Sequence, residues 1–248
     1  MTDPIYFLYV DPYHLDDPFF LSSMAQRMKR VEQRLPPLLI LHNSGEQAER
    51  VLEAEGLFPG RVEGRLDLRT SKERAVLERA MRDVNRRIVG TLTDEGVHAV
   101  GFHGLDRGIL RIGAHGQVSA GRVAWLRDLV LKRVVSVLST LVRDPRTGHV
   151  REESMQSATL AMARALNDER IVVVFFTRND RPGIWERDEV MTTCPSDALS
   201  VSVLPQSESV CAVVAGGFPV LITSPKGLFG GEKPLGTWII DPETAQKT

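Results

Sequence analysis

The sequence lacks an excess of charge of either sign, since 31 lysines and arginines stand against 32 aspartates and glutamates in 248 residues. A formal net charge of −1 creates no overall field that would attract nucleic acid or an anionic membrane. Cysteine is also scarce: Cys194 and Cys211 suggest no disulfide scaffold and match no metal-ligand spacing. We therefore expect no nucleic-acid partner and no structural metal.

Long apolar runs are absent as well. No run approaches the ~18 residues that a membrane-spanning helix requires. The N-terminal stretch MTDPIYFLYVDPYH lacks the charged region and the apolar segment of a signal peptide. Apolar residues make up 42% of the chain and charged residues 25%, which is typical of a globular protein. We expect a cytoplasmic protein that neither enters nor binds a membrane.

Apolar strands alternate with amphipathic helices along the chain. Short apolar runs predict strands at 5–10, 38–41, 98–102, 109–112, 134–142, 171–176, 218–223 and 236–240. Apolar residues at helical spacing predict helices at 17–35, 46–56, 71–95, 123–130, 154–166 and 206–215. This alternation predicts an α/β protein, a three-layer α/β/α sandwich with a mostly parallel central sheet. No repeat or low-complexity linker interrupts it, so we expect one domain over residues 1–248.

The turn after the second predicted strand has a single glycine, whereas phosphate-binding turns in α/β proteins usually have several. It reads His42-Asn43-Ser44-Gly45 and leads into a predicted helix. Glycines are common in such turns because backbone N–H groups must approach the ligand closely. Ser44 keeps its N–H and adds a hydroxyl, so this turn can still bind an anion.

Five segments in the same order resemble the amino-acid kinase superfamily and, within it, acetylglutamate kinase. One is the strand, turn and helix ILHNSGEQAERVLEAEGL, and another is the closing LGTWI. Together the segments cover nearly the whole chain: 40–57, 63–110, 157–184, 204–223 and 235–239. The resemblance implies the amino-acid kinase fold, with a substrate lobe at about 1–150 and a nucleotide lobe at about 151–248. It also implies a homodimer, in which the 71–95 helix or the central strands meet across a two-fold axis.

The resemblance implies transfer of the γ-phosphoryl group of ATP to a carboxylate, which depends on positive charge around the transferred oxygens. It places the family's first lysine on Tyr9 and its two loop glycines on Asp11 and Pro12. The family's organising aspartate falls on Gln156 and its second lysine on Gln206. Tyrosine is neutral near pH 7, and losing one phosphate-contacting cation costs on the order of 10³-fold or more in rate. We therefore predict essentially no turnover.

On the substrate side, the resemblance places Ser44 and Gly45 where the carboxylate-bearing end of the substrate is bound. Glu152 falls at a position where the family has an asparagine. This replacement puts an added carboxylate in the pocket, which also opposes phosphoryl transfer.

The family's substrate-clamping arginine should follow Gly64, but strict register puts Leu66 there. Arg65 and Arg69 are neighbours that could replace it, because a guanidinium matches the geometry of a carboxylate. Both could equally be ordinary surface arginines.

The predicted nucleotide side keeps part of the family pattern. The stretch TRNDRPGI retains Thr177, Pro182 and Gly183 of the family's loop, with added charges between them. The segment from Gly183 to Pro205, which would cover the nucleotide, is shorter than the family usually has. This argues against ATP, so we expect no cofactor; ATP and magnesium would be needed only by an active enzyme.

The histidines give weaker signals. His42 ends the strand before the turn and is interpreted as a packed or capped histidine rather than as a ligand-contacting group. His103, Asp106 and His115 lie near another turn, but their spacing fits no metal pattern.

The preferred hypothesis is a relative of acetylglutamate kinase that no longer phosphorylates. It would act as a binding, regulatory or partner subunit for a small acidic amino acid or acyl-amino acid. The alternative is an active ATP-dependent carboxylate kinase of the N-acetylglutamate 5-phosphotransferase type, in arginine biosynthesis, with charge supplied by Lys72, Arg107, Arg178 or Lys226. A third hypothesis is a structural protein that assembles with a functional kinase paralogue.

Overall fold

The computed structural model describes residues 3–62, 65–166 and 169–242, with the side chains of residues 61, 62 and 65 outside the description. The strands are β1 (Ile5–Val10), β2 (Leu38–His42), β3 (Arg61–Val62), β4 (Arg65–Leu66), β5 (Ala99–His103), β6 (Leu110–Ile112), β7 (Val118–Ala120), β8 (Val135–Ser139), β9 (Leu141–Arg143), β10 (Val150–Glu152), β11 (Ile171–Phe176), β12 (Trp185–Glu186), β13 (Glu189–Val190), β14 (Thr193–Pro195), β15 (Val220–Thr223) and β16 (Thr237–Ile240). The helices are α1 (Pro12–Asp16), α2 (Phe20–Arg30), α3 (Gln47–Ala54), α4 (Ser71–Asp94), α5 (Ala124–Leu131), α6 (Met155–Ala165), α7 (Ser207–Ala215) and α8 (Pro225–Phe229). None of the helices in the described ranges is long and apolar enough to cross a membrane.

Eight of these strands form one sheet in the order β14-β16-β15-β11-β1-β2-β8-β5. Neighbouring strands are parallel except for the antiparallel pair β15 and β16. The other strands pair as short hairpins, β3 with β4, β6 with β7, β9 with β10, and β12 with β13. The predicted α/β class with a mostly parallel central sheet is confirmed.

Strand β1 is covered on both faces, as expected of a continuous apolar run inside a parallel sheet. Phe7 and Tyr9 pack into an apolar cluster to which α5, α6 and α7 contribute. Leu8 and Val10 point the other way and pack into a second cluster, to which α2, α4 and α8 contribute. Helices therefore lie on both sides of the sheet and complete the three layers.

The sheet register brings three chain segments to one edge. Tyr9 pairs with Leu41 of β2 and with Phe175 of β11, and all three strands are parallel. The segments that follow these strands, which are α1, the turn at 42–45 and the loop from Thr177, therefore lie side by side. Ligands of open α/β sheets bind at this edge, beyond the carboxyl ends of the strands.

Three local predictions from the sequence need correction. The helix predicted at 17–35 is shorter, since α2 ends at Arg30 and a 3₁₀ turn follows at 32–34. The strand predicted at 134–142 is divided into β8 and β9 at Thr140, whose N–H donates to the carbonyl of His42. Helix α1 was not predicted, although an aspartate cap followed by proline is a recognised helix start.

Candidate functional site

Tyr9 is the penultimate residue of β1, close to the edge of the sheet where ligands of this fold class bind. Its side chain is buried and stacks on Phe175, with ring centroids 4.5 Å apart. The hydroxyl lies 3.4 Å from Oγ of Ser209 in α7. Burial raises the pKa of Tyr9 to about 12, so the phenol is neutral at physiological pH. A neutral, packed ring thus fills the position that the resemblance assigns to a lysine.

Asp11 caps α1 with its own carboxylate. Its Oδ1 accepts the backbone N–H of His14 at 3.0 Å and lies 2.5 Å from His14 Nδ1. The other ring nitrogen, Nε2, lies 3.0 Å from the carbonyl oxygen of Thr177. Both ring nitrogens of His14 therefore face oxygen atoms that can accept a hydrogen bond. The first residue of α1, Pro12, has no N–H to offer a ligand.

A second carboxylate occupies the turn at 42–45. Ser44 donates its backbone N–H to Oε1 of Glu152 at 2.6 Å and its hydroxyl to Oε2 at 3.0 Å. Gly45 has a φ of +58°, a conformation that favours glycine, and its N–H donates to Oδ1 of Asn43 at 3.1 Å. The resemblance assigns the backbone N–H groups of Ser44 and Gly45 to a substrate carboxylate. In the structure these N–H groups donate instead to the side chains of Glu152 and Asn43.

His42 is fully buried below the turn and is a packed histidine. Its Nδ1 donates to the carbonyl of Asn43 at 2.8 Å, and its Nε2 accepts from Nδ2 of Asn85 at 3.0 Å. Burial lowers the pKa of His42 to about 4, so the ring is neutral near pH 7. The same Asn85 amide donates to the carbonyls of Phe102 and Val137, which ties β2, β5 and β8 together beneath the turn.

Gln206 and Gln156 lie at the beginnings of two helices. Gln206 precedes α7, one turn before Ser209, and its Oε1 is buried with no hydrogen-bond partner in the described part of the chain. Gln156 is the second residue of α6, and Met155 before it packs into the same cluster as Tyr9. The structure thus links Tyr9 and the start of α7 through Ser209, with the start of α6 packed nearby. The functional roles of the three positions remain predictions.

The two arginines predicted near the substrate have different surroundings. Arg65 lies in β4 opposite Val62, and its side chain is outside the description. The side chain of Arg69 is 82% exposed, and its Nη2 lies 2.8 Å from Oδ2 of Asp67. Gly64, which the family's arginine should follow, lies outside the described residues. Arg69 forms a surface ion pair, and substrate binding by either arginine remains a prediction.

A pocket of about 290 Å³ opens beside Glu152 and is also lined by Arg74 and Arg151. Nη1 of Arg74 donates to the carbonyls of residues 68 and 69 at 3.1 and 3.0 Å. Nη2 of Arg151 lies 3.3 Å from Oε2 of Glu153. The sequence analysis missed both arginines: Arg74 belongs to a charged run typical of a solvated helix face. Arg151 reaches the pocket only through the hairpin of β9 and β10.

A second pocket, of about 510 Å³, lies in the predicted nucleotide half. Thr177 and Gly183 line it together with Arg181 and Trp185, and the Arg181 guanidinium lies 5.0 Å from the Trp185 ring centroid. The Thr177 hydroxyl lies 2.7 and 2.8 Å from carbonyl oxygens of its own loop. Pro182 packs against α8. The three predicted residues thus belong to one loop, and nucleotide binding there remains a prediction.

The N–H groups beyond β1 and β2 have carboxylate acceptors within the protein. The carboxylates of Asp11 and Glu152 accept the N–H groups of His14 and Ser44. In the parts of the chain that the structure describes, no group of three or more histidines, cysteines, aspartates or glutamates could hold a metal ion.

His103, the last residue of β5, and Asp106 in the turn that follows have structural partners. His103 Nδ1 lies 2.8 Å from Oγ of Ser139 in β8. Asp106 accepts the backbone N–H of His103 at 2.8 Å and so shapes the turn.

Comparison with known proteins identifies acetylglutamate kinases as relatives, although no family model matches the chain. That of Saccharopolyspora erythraea is 27% identical over 207 residues, which are 73% of this chain and 66% of the relative. That of Chloroflexus aggregans is 34% identical over 105 residues, which are 42% of this chain and 40% of the relative. That of Chloroflexus aurantiacus is 27% identical over 243 residues, 90% of this chain and 92% of the relative. The first two matches thus span less than two thirds of the relatives' lengths.

Solved structures share the fold over nearly the whole chain. N-acetylglutamate synthase from Neisseria gonorrhoeae, complexed with coenzyme A and N-acetyl-glutamate, matches with a TM-score of 0.70 at 18% identity. The match covers 97% of this chain and 60% of that one. The product complex of T. acidophilum isopentenyl phosphate kinase has a TM-score of 0.61 at 18% identity, and the match covers 95% of this chain and 99% of that one. Aspartate kinase from Synechocystis has a TM-score of 0.65 at 16% identity, covering 96% and 40%. The chain has the amino-acid kinase fold, as the resemblance implied.

Proposed function

We propose that this acetylglutamate kinase-like protein does not transfer phosphate and acts instead as a binding, regulatory or partner subunit. The observation that carries the proposal is the buried, neutral phenol of Tyr9, at the position that the resemblance assigns to the family's first lysine. Its hydroxyl contacts Ser209, one turn after Gln206, to which the resemblance assigns the second lysine. With Asp11 beside them, these groups add no positive charge to offset the charge of a migrating phosphoryl group.

The cations that an active enzyme would need to recruit have other surroundings, which supports the proposal. They are Lys72, 3.4 Å from Glu55; Arg107, 5.4 Å from the ring centroid of Trp125; Arg178, 4.7 Å from the ring centroid of Tyr13; and Lys226, exposed in α8. Arg178 lies beside α1, which follows β1, so relocated chemistry would require its guanidinium to leave the Tyr13 ring or one of the other three cations to reach the end of β1.

The ligand proposed for the site is a small acidic amino acid or acyl-amino acid, held at Ser44 and Gly45. The fold relative from Neisseria was solved with N-acetyl-glutamate, which supports this class of ligand. The proposal includes a cytoplasmic homodimer or an assembly with a functional kinase paralogue, and it requires neither ATP nor magnesium.

A coupled assay of ADP formation tests the proposal, with N-acetylglutamate, N-acetylaspartate and glutamate as substrates and Chloroflexus aurantiacus acetylglutamate kinase as positive control. We expect no turnover above background from this protein. Turnover that survives Tyr9→Phe and is abolished by Ser44→Asp would instead support an active carboxylate kinase with relocated groups. A thermal-shift screen of nucleotides and acidic amino acids then identifies ligands, because a bound ligand raises the melting temperature.

A further inference from the structure

The contact between Glu152 and Ser44 has the pattern of a bound anionic ligand. One carboxylate accepts both a backbone N–H and a hydroxyl, at 2.6 and 3.0 Å, and Ser44 is only 3% exposed. Backbone amides at the start of a helix normally present this pattern to a phosphate or to the carboxylate of a ligand. Here the carboxylate is covalently part of the chain.

The backbone holds Glu152 in this place. The N–H of Thr140 donates to the carbonyl of His42, just before the turn, at 3.1 Å. The N–H of Glu153 donates to the carbonyl of the same Thr140 at 3.0 Å. Thr140 is therefore hydrogen-bonded both to the residue before the turn and to the residue after β10. These two backbone hydrogen bonds keep Glu152, the last residue of β10, close to Ser44.

We infer that Glu152 is a tethered competitor for the anion position of the turn at 42–45 and determines which ligands the turn accepts. A free carboxylate cannot use the N–H and hydroxyl of Ser44 while Glu152 holds both, and two carboxylates at one position repel each other. A carboxylate ligand therefore binds only by displacing Glu152. This inference rests on the proposed binding function, because it concerns ligand selection by the same site.

The pocket beside Glu152 contains charged side chains that a ligand meets when it displaces Glu152 from Ser44. Arg74 and Arg151 line this pocket of about 290 Å³ together with Asp67 and Asp144, and Arg151 Nη1 lies 3.8 Å from Asp144 Oδ2. Among these carboxylates Glu152 is the one that accepts the N–H and the hydroxyl of Ser44, so it is the one that a ligand carboxylate must displace.

Calorimetric titration with N-acetyl-L-glutamate, in the absence of ATP, tests the inference. We compare the wild type with Glu152→Gln, which keeps the shape and removes the charge, and with Glu152→Ala, which removes the occupant. Both variants are expected to bind at least about tenfold more tightly than the wild type, since a charge-assisted competitor is lost. Glu189→Gln, an exposed change in β13, is the matched control and is expected to bind like the wild type.

Two further measurements make the result decisive. The uncharged dimethyl ester of N-acetyl-L-glutamate is expected to gain less than the free acid with both variants, because the ester lacks the charge that Glu152 repels; an equal gain for ester and acid would overturn the inference. Equal affinity of wild type and folded variants for N-acetyl-L-glutamate, or no binding by any of them, would overturn the inference. Thermal melting shows whether each variant is folded. If one of Glu152→Gln and Glu152→Ala fails to fold, the binding affinity of the other is compared with that of the wild type. Since the titration contains no ATP, it fails or succeeds independently of the assay for phosphoryl transfer.

Discussion

The imidazole of His14 lies between two acceptors, with Nδ1 2.5 Å from the Asp11 carboxylate and Nε2 3.0 Å from the carbonyl of Thr177. The side chains of His14 and Asp11 are 3% and 7% exposed. This pair connects the start of α1 to the loop after β11, so one side chain joins segments from the two predicted lobes.

Replacing His14 with alanine is expected to destabilise the protein by about 1–3 kcal/mol, because it removes the side-chain hydrogen-bond partner of the buried Asp11 carboxylate. Urea unfolding measures the loss. His115→Ala, at an exposed turn position, is the control and is expected to change stability little. Similar free energies of unfolding for the two variants would contradict this assignment.

The buried His42 predicts a pH dependence of stability. The unfolded chain binds a proton at this residue below about pH 6.5, whereas burial lowers its pKa in the folded protein to about 4. Its contribution is therefore complete above pH 6.5 and decreases as the pH falls toward 4, by about 3 kcal/mol in total. The free energy of unfolding should depend less on pH across this window in His42→Gln than in the wild type or His115→Gln. An unchanged pH dependence in His42→Gln would refute the prediction.

The Tyr9 phenol is expected to ionise at a higher pH than an exposed tyrosine. Because its pKa is raised to about 12, ultraviolet titration of Tyr9→Phe should lack a transition near pH 12 that the wild type shows. Circular dichroism at each pH verifies that both proteins remain folded. The loss of its 3.4 Å contact with Ser209 should cost about 1 kcal/mol or less. A phenolate transition that is the same in both proteins near pH 12 would count against a buried phenol at this position.

A pair of glycines separates backbone strain from crowding. Gly183 and Gly217 both have positive φ, at +90° and +85°. A Cβ on Gly183 would lie 2.7 Å from Thr237 Oγ1 and 2.9 Å from its nitrogen, whereas nothing lies within 4 Å of a Cβ on Gly217. Gly217→Ala is therefore expected to cost about 1–2 kcal/mol from strain alone, and Gly183→Ala at least about 1 kcal/mol more. Thermal and urea unfolding of both variants measure the difference in stability. Equal losses of stability would show that the loop around Gly183 shifts to accommodate the added Cβ without a further cost.

The central sheet could be predicted from the sequence because its strands are continuous apolar runs, such as IYFLYV and IVVVFF, covered on both faces. The division at Thr140 could not, because residues 134–142 contain no glycine or proline that would indicate a break. Helix α1 has a signal in Asp11 and Pro12, but five residues are too few for a helical apolar period.

The resemblance predicts positions for the candidate site, among them Tyr9, Ser44 and Glu152, but it predicts none of their contacts. The hydrogen bonds of Ser44 to Glu152 join residues far apart in sequence, and no local pattern encodes them. The direction of the Arg74 side chain depends on its hydrogen bonds to the carbonyls of residues 68 and 69, in the loop before α4, which the sequence pattern does not predict.

The strand order also sets a sequence of events during synthesis. Strand β1 lies between β2 and β11 in the sheet. It can therefore pair on its second side only after β11, which begins at Ile171, has been synthesised. Until then a fully apolar strand presents an unpaired edge in the emerging polypeptide. Shortening the chain before residue 171 would therefore expose the middle of the sheet rather than its margin, and such fragments should require chaperones to stay dispersed.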